Sequence, residues 1–174
     1  MKKIYGILIA LAFGKLGCTQ APGERPHVLN PAFDKKIGQM LSFTVPAIGV
    51  GELNDIQNEV FIFDARELQE YELSHIKGAR YLGYDDFDES RLIGVSKDSK
   101  IVLYCSIGYR SEKIGEKLQK MGYTNIYNLY GSIFEWVNEG YPIVGPDGKP
   151  TRKLHTYDSK WSQWVDPEKA EKVW

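Results

Sequence analysis

The sequence has little of several features that assign a function immediately. Cysteine occurs only twice in the 174 residues, and no histidine or cysteine cluster has the spacing of a metal site, so we expect neither a metal nor another cofactor. Neither positive nor negative charge dominates, because 22 lysine and arginine residues against 23 aspartate and glutamate residues leave a net charge of −1. This balance indicates no nucleic-acid partner and no attraction to an anionic membrane surface. The chain also lacks internal repeats, and its length supports one domain with extensions.

The N-terminal segment has the pattern of an export signal. Two lysines precede the apolar stretch 4–13, which is too short to span a bilayer as a helix. The Leu-Gly-Cys sequence that ends at Cys18 resembles the end of a bacterial lipobox, although Lys15 stands where an aliphatic residue is usual. We therefore expect a signal peptide over 1–18, acylation of Cys18, and a membrane-anchored lipoprotein in the periplasm or at the cell surface. The alternative is an uncleaved or conventionally cleaved signal with an incidental cysteine.

Residues 19–44 are expected to connect this anchor to the folded domain. The first half of this segment is rich in proline, glycine and polar residues, which is typical of a tether. Apolar residues at helical spacing over 31–43 predict a lead-in helix that packs on the domain.

Residues 45–144 alternate short strand and helix patterns, which predicts an α/β fold with a parallel sheet flanked by helices on both faces. Ligands of such sheets bind at the carboxyl ends of the strands. Asp64 and Cys105 both follow predicted strands, so we expect them to share one site. The predicted strands are 47–48, 60–63, 79–82, 100–104 and 125–129, and the predicted helices are 52–57, 67–74, 112–121 and 132–138.

The C-terminal extension, residues 145–174, begins with a Gly-Pro-Asp-Gly turn and is then dense in aromatic residues. We expect these aromatic residues to pack on the domain, because tryptophans in short tails are usually buried. The alternative is a flap that binds a partner or gates a substrate. The aromatic residues concerned are Tyr157, Trp161, Trp164 and Trp174.

Cys105 has the sequence context of a nucleophile. A β-branched and aromatic run over 101–104 leads directly into it, and Ser111 is expected to cap the helix that follows. A thiol near a helix N-terminus has a lowered pKa, and Arg110 adds a permanent positive charge. The pattern indicates a thiolate in an anion-binding loop; the alternative is a buried structural cysteine.

The length of the loop separates two chemistries. Four residues lie between Cys105 and Arg110, whereas phosphatases with this kind of loop have five. A shorter loop fits a terminal sulfur atom and crowds a phosphate, so sulfur transfer is favoured over a phosphatase or arsenate reductase. The four residues are Ser106, Ile107, Gly108 and Tyr109.

Four motifs then occur in the order of a rhodanese domain. They are Asp-Ala-Arg at 64–66, His-Ile-Lys-Gly-Ala at 75–79, the loop at 105–110, and the segment 130–136 followed by 140–144. Residues 45–144 therefore resemble a single rhodanese domain. One departure is Ser132, where a second glycine is usual; we expect it to cap the last helix with little effect.

The resemblance implies a sulfurtransferase that carries sulfane sulfur as a persulfide on Cys105. The sulfur would pass to cyanide, a thiol or a protein acceptor. The backbone amides of residues 106–111, including those of Ser106, Ile107, Gly108, Tyr109 and Ser111, would hold the thiolate and then the persulfide. Arg110 would orient the loop and attract an anionic donor, or form a purely structural ion pair.

Three further residues of the motifs are expected to support the site. Asp64 is expected to bond loop amides or a cation. Arg66 is expected to contact substrate or to pair with Glu67 or Glu70. His75 is expected to bridge backbone groups, because a low-pKa thiol needs no base.

The expected partners are a small sulfur donor, a thiophilic acceptor and the membrane, the last through lipid on Cys18; we expect a monomer. Arg110 is the only cation of the loop, whereas many thiosulfate-using relatives have a more basic loop, which argues against thiosulfate. Ile107 and Tyr109 are expected at the mouth, where they favour a donor with an apolar portion. The competing interpretation is a non-catalytic rhodanese-like binding module at a membrane surface.

Overall fold

The computed structural model of the protein describes residues 25–174. The predicted signal peptide and lipidation at Cys18 therefore lie outside the described residues, as does the tether before residue 25. Across the described residues, no helix is long and apolar enough to cross a membrane.

A five-stranded parallel sheet forms the centre of the structure, and its strands lie side by side in the order Ala47–Ile48, Ile126–Leu129, Ile101–Tyr104, Phe61–Asp64 and Arg80–Tyr81. The prediction of a parallel α/β sheet is confirmed, and each predicted strand agrees with the observed one to within one residue at either end. The central strands are β1 (Ala47–Ile48), β2 (Phe61–Asp64), β4 (Arg80–Tyr81), β5 (Ile101–Tyr104) and β6 (Ile126–Leu129); the short β3 (His75–Ile76) precedes β4.

Five α-helices of the described residues pack around this sheet. The lead-in helix begins where predicted, because Asn30 caps it by accepting from two backbone amides and Pro31 follows at the first position. It ends at Gly38, five residues before the predicted end at residue 43, and Phe43 has a left-handed backbone with φ 53°. The helices are α1 (Pro31–Gly38), α2 (Val50–Ile56), α3 (Leu68–Leu73), α4 (Tyr109–Lys120) and α5 (Ser132–Asn138).

The helices cover both faces of the sheet. Val102 and Tyr104 of β5 point into a core shared with α1, α2 and α5. Ile101 and Leu103 point to the opposite face, where α4 packs. Because both faces are covered, all four residues of β5 are buried, which explains the continuous apolar run before the cysteine.

Two small sheets lie beside the central one. In the first, β3 pairs antiparallel with β7 (Ile143–Val144), which pairs with β8 (Pro150–Thr151). In the second, β9 (Lys153–His155) runs parallel to β10 (Glu171–Val173). None of these pairings was predicted, because strands of two or three residues show little alternation.

The C-terminal extension packs on the same face of the domain as α1. The ring of Trp164 stacks on Phe33, with 5.4 Å between the ring centroids, and Leu154 and Val165 are buried in that core. By contrast, Tyr157 is 54 % exposed, so part of the aromatic extension remains accessible.

Candidate active site

Cys105 lies at the carboxyl end of β5 and is 1 % exposed. The helix after it begins at Tyr109, three residues earlier than predicted. Gly108, whose φ of 114° is in the left-handed region, occupies the N-cap position. The prediction that Ser111 caps this helix is therefore wrong: Ser111 lies within the first turn, close to the sulfur.

The loop surrounds the sulfur atom with hydrogen-bond donors. The Gly108 amide donates to Cys105 Sγ over 3.2 Å. Burial alone would raise the pKa of the Cys105 thiol, but the charge of Arg110 and the nearby backbone amides of Ile107 and Ser111 outweigh burial, so this pKa is lowered. The arrangement favours a thiolate despite its burial.

Two side chains from the neighbouring strand and helix hold the loop in this shape. Asn128 Nδ2 donates to the Gly108 carbonyl over 2.9 Å, and Asn128 Oδ1 accepts from the Ser111 hydroxyl over 2.7 Å. Ser132 Oγ accepts from the Cys105 amide over 3.1 Å. Asn128 was not identified from the sequence, because a single polar residue inside an apolar strand gives no indication of its partner.

Ser132 also differs from its expected role. Gly131 is the N-cap of α5, so the expectation that Ser132 caps this helix is wrong. The backbone of Ser132 is left-handed, with φ 54°, a conformation that glycine adopts at lower cost than serine. This conformation explains physically why a glycine is usual at this position of the motif.

Arg110 binds the carboxylate of Glu70, which was expected to pair with Arg66 instead. Its Nη1 and Nη2 atoms donate to Glu70 Oε2 and Oε1 over 2.6 and 2.9 Å, and Nη2 also donates to Ser106 Oγ over 3.0 Å. Glu70 is 1 % exposed and lies in α3, where it also completes a capping box with Glu67. That capping-box spacing is the only sequence signal that marks Glu70.

Asp64 and Arg66 form a separate, fully buried ion pair. Arg66 Nη2 donates to Asp64 Oδ2 over 2.7 Å and to the Ser74 carbonyl over 2.6 Å. Both side chains have no exposed surface. The expected pairing of Arg66 with Glu67 or Glu70 is therefore wrong. Asp64 was expected to bond either loop amides or a cation, and it binds a cation, the Arg66 guanidinium.

His75 contacts backbone and an aromatic ring. Its Nδ1 lies 3.0 Å from the Tyr71 carbonyl oxygen, and its ring stacks on that of Tyr71 with 4.2 Å between centroids. In the part of the chain that the structure describes, His75 is not among the residues that line the cleft at Cys105.

A cleft of about 370 Å³ opens above the sulfur. Its floor is formed by the loop that contains Cys105 and Arg110. Its walls come from segments distant in sequence, including both extensions of the domain. These wall residues are Met40 of the N-terminal extension, Glu67, Tyr84 and Asp85 near the second and fourth strands, and Tyr157 and Trp161 of the C-terminal extension.

The family model "Rhodanese-like domain" matches residues 50–139, so the chain belongs to the rhodanese-like domain family. This match includes the nucleophile loop and both ion pairs. It does not include the aromatic C-terminal extension.

Two solved structures share the fold. A rhodanese-related protein of Thermoplasma volcanium has a TM-score of 0.52 and 28 % sequence identity, over 57 % of this chain and 97 % of that one. The rhodanese-like domain of an Anabaena sp. protein has a TM-score of 0.54 and 21 % identity, over 57 % of this chain and 79 % of that one. The second likeness supports the fold alone.

A curated relative has a longer chain. The tRNA uridine(34) hydroxylase of Sodalis glossinidius is 30 % identical over 157 residues, which cover 85 % of this chain and 41 % of that protein. The chain thus spans less than half the length of this relative.

Proposed function

We propose that the protein is a sulfurtransferase that carries sulfane sulfur as a persulfide on Cys105. The observation that supports this proposal most strongly is the 3.2 Å hydrogen bond from the Gly108 amide to Cys105 Sγ, in a loop whose amides and arginine lower the pKa of the thiol. The same donors suit the terminal sulfur of a persulfide, which is also an anion.

The reaction has two balanced steps. The Cys105 thiolate attacks the sulfane sulfur of a donor R–S–SH, the donor S–S bond breaks, and R–S⁻ leaves with the electron pair. A thiolate or cyanide acceptor then attacks the outer sulfur of the persulfide, and the electron pair of the broken bond returns to Sγ. Neither step requires a general base, because the nucleophile is already ionised.

Arg110 has a positioning and electrostatic role in this proposal. Its bidentate contact with Glu70 fixes the guanidinium beside the loop, where its charge favours the thiolate. With Glu70 as a partner, much of this charge is compensated locally. Arg110 is thus better suited to stabilising the sulfur anion than to capturing an anionic donor from solution.

A small acceptor fits the cleft better than RNA does. The curated relative is named for a tRNA substrate, but the cleft of this chain has the carboxylates of Glu67 and Asp85 on its walls. Carboxylates repel the phosphate backbone on which nucleic-acid affinity depends. We therefore propose a small thiophilic acceptor.

The proposed location is that of an exported lipoprotein anchored through Cys18, which rests on the sequence pattern alone. Metabolic labelling with a fatty acid is expected to mark the wild-type chain and not a Cys18→Ser variant. Equal labelling of both would contradict the anchor.

Intact mass spectrometry tests the proposed activity. The full-length chain with Cys18→Ser retains Cys105 as its single thiol. After incubation with polysulfide, this protein is expected to gain one sulfur atom that cyanide removes, whereas a further Cys105→Ser change is expected to prevent the gain. A folded protein with reduced Cys105 that gains no sulfur would contradict the proposal and favour a non-catalytic binding module.

A further inference from the structure

The cleft has more acidic than basic side chains, which disfavours the binding of an anion. Arg110 is the only basic side chain among the described residues that line it. Its guanidinium is bonded to Glu70, and its Nη1 lies 3.8 Å from Glu67 Oε1. Glu67 and Asp85 on the cleft wall and the buried Glu70 behind it outnumber this one cation, and the Cys105 thiolate adds a further negative charge.

Two of these carboxylates face the same space. Burial and the nearby charge of Asp85 raise the pKa of the Glu67 carboxyl, in spite of the opposing charge of Arg110. Such repulsion between carboxylates is relieved by a cation placed between them, and it is increased by an incoming anion.

Aromatic rings provide the rest of the wall. The ring centroid of Tyr157 lies 5.3 Å from the Arg110 guanidinium carbon, and Trp161 and Tyr84 line the same cleft. Aromatic faces attract cations and cover apolar groups. The cleft therefore combines negative charge with aromatic surface.

Tyr157 is held in place at a conformational cost. Its φ of 68° lies in the left-handed region, which costs an aromatic residue about 1–2 kcal/mol. Its amide donates to His155 Nδ1 over 3.1 Å, which fixes the turn that carries the ring to Arg110. The extension therefore contributes directly to the site, although it lies outside the residues matched by the family model.

We propose that the acceptor of this site is an organic thiol whose body is cationic or uncharged, and that Glu67, Asp85 and Tyr157 select it against anionic thiols. This inference rests on the proposed sulfurtransferase function. In the transfer step, the acceptor thiolate attacks the outer sulfur of the Cys105 persulfide, the persulfide S–S bond breaks, and the acceptor leaves as its own persulfide.

A matched pair of thiols tests the selection. The full-length chain with Cys18→Ser is loaded with polysulfide, freed of donor, and mixed with cysteamine or 3-mercaptopropionate, which differ in carrying an ammonium or a carboxylate group. Loss of the outer sulfur is followed by intact mass. Each rate is divided by the rate of the same thiol with the persulfide of 2-mercaptoethanol in solution, whose body is uncharged, so that intrinsic differences in thiol reactivity are removed.

The expected result is a corrected rate about tenfold higher for cysteamine at low salt, since each nearby charge contributes on the order of 1 kcal/mol. Glu67→Gln combined with Asp85→Asn is expected to remove most of this preference. Glu59→Gln serves as the matched control, because Glu59 is exposed near the amino end of β2, and it is expected to leave the preference unchanged.

Tyr157 is tested in the same assay. Tyr157→Ala is expected to slow transfer to cysteamine several-fold, whereas Trp174→Ala, which removes an exposed aromatic ring of the same extension, is expected to have no effect. A loaded protein that prefers 3-mercaptopropionate, or whose preference survives the double change, would overturn the selectivity and leave the persulfide function intact. A folded protein that never loads sulfur would overturn both.

Discussion

Two arginine–carboxylate pairs of similar chemistry lie near the sheet edge, and their surroundings give them different roles. Asp64 and Arg66 are two residues apart and have no exposed side-chain surface. Glu70 and Arg110 are 40 residues apart, and the Arg110 side chain retains 13 % of its exposure at the cleft. The first pair lies inside the domain, whereas the second joins α3 to the loop that contains the nucleophile.

The environment of an ion pair determines whether its loss affects folding or the chemistry of the site. Neither partner of the inner pair can be rehydrated if the other is removed, so its loss affects folding. The outer pair borders an open cleft, and its arginine lowers the pKa of the Cys105 thiol. Its loss therefore affects the chemistry of sulfur more than it affects the fold.

Breaking the inner pair is expected to have the largest effect. Arg66→Met leaves the Asp64 carboxylate buried without its cation, which is expected to lower the free energy of unfolding by about 3–5 kcal/mol. Urea denaturation followed by circular dichroism measures this loss. Arg152→Met, at an exposed arginine, is the control, and a loss below about 1 kcal/mol in Arg66→Met would contradict the assignment.

Breaking the outer pair at Arg110 is expected to shift the effect from folding to reactivity. In Arg110→Met, Glu70 keeps the Ser106 hydroxyl and the Glu67 amide as donors, so the loss of stability is expected to be about 1–3 kcal/mol. Sulfur loading at neutral pH is expected to fall about tenfold, because the thiolate loses its nearest positive charge.

The pH profile of loading distinguishes this electrostatic effect from a general loss of activity. With Arg110 removed, the pKa of the Cys105 thiol rises, so the rising limb of the profile is expected to move to higher pH. An unchanged profile with a uniformly lower rate would assign Arg110 a structural role only.

Glu70→Gln is expected to have a smaller effect that depends on acidity. Although burial opposes ionisation, the Arg110 guanidinium lowers the pKa of the Glu70 carboxyl below its ordinary value. The contribution of this carboxylate to stability is therefore complete above that ordinary value and is lost as pH falls through the lowered one.

Denaturation series over pH measure this dependence. The difference in stability between wild type and Glu70→Gln, about 1 kcal/mol near neutral pH, is expected to shrink in acid. A difference that does not change with pH would show that Glu70 contributes packing alone.

Two glycines that border α4 test the loop itself with the smallest expected changes. Both Gly108 and Gly122 have positive φ, so alanine at either position is expected to cost about 1 kcal/mol of stability. Only Gly108 donates to Sγ, so only Gly108→Ala is expected to slow sulfur loading. Equal loading by both variants would show that the position of this amide is unimportant.

The sheet and the nucleophile loop were predictable because their signals are local. The strands β2, β5 and β6 are mostly apolar at consecutive positions, which is typical of strands buried on both faces, and the loop directly follows β5. Asp64, at the end of its strand, and the loop at 105–111 were therefore identified from the local pattern, whereas Arg66 and His75 were identified from the resemblance to rhodanese motifs.

The partners of those residues were not predictable, because they depend on chain segments that meet only in the folded state. Glu70 reaches Arg110 across 40 residues, and Tyr157 reaches it from the C-terminal extension. The start of α4 was misplaced for a different reason. Serine is a common N-cap residue, so Ser111 was expected to precede the helix, whereas the left-handed backbone of Gly108 starts the helix at Tyr109.

The most direct measurement is the pH dependence of alkylation of Cys105 by iodoacetamide, in the full-length chain with Cys18→Ser. The proposed thiolate loop predicts a midpoint below the value of an ordinary cysteine, about 8.5, and a higher midpoint when Arg110→Met is added. A midpoint at or above that of free cysteine in the folded protein would contradict the claim that this loop stabilises a sulfur anion.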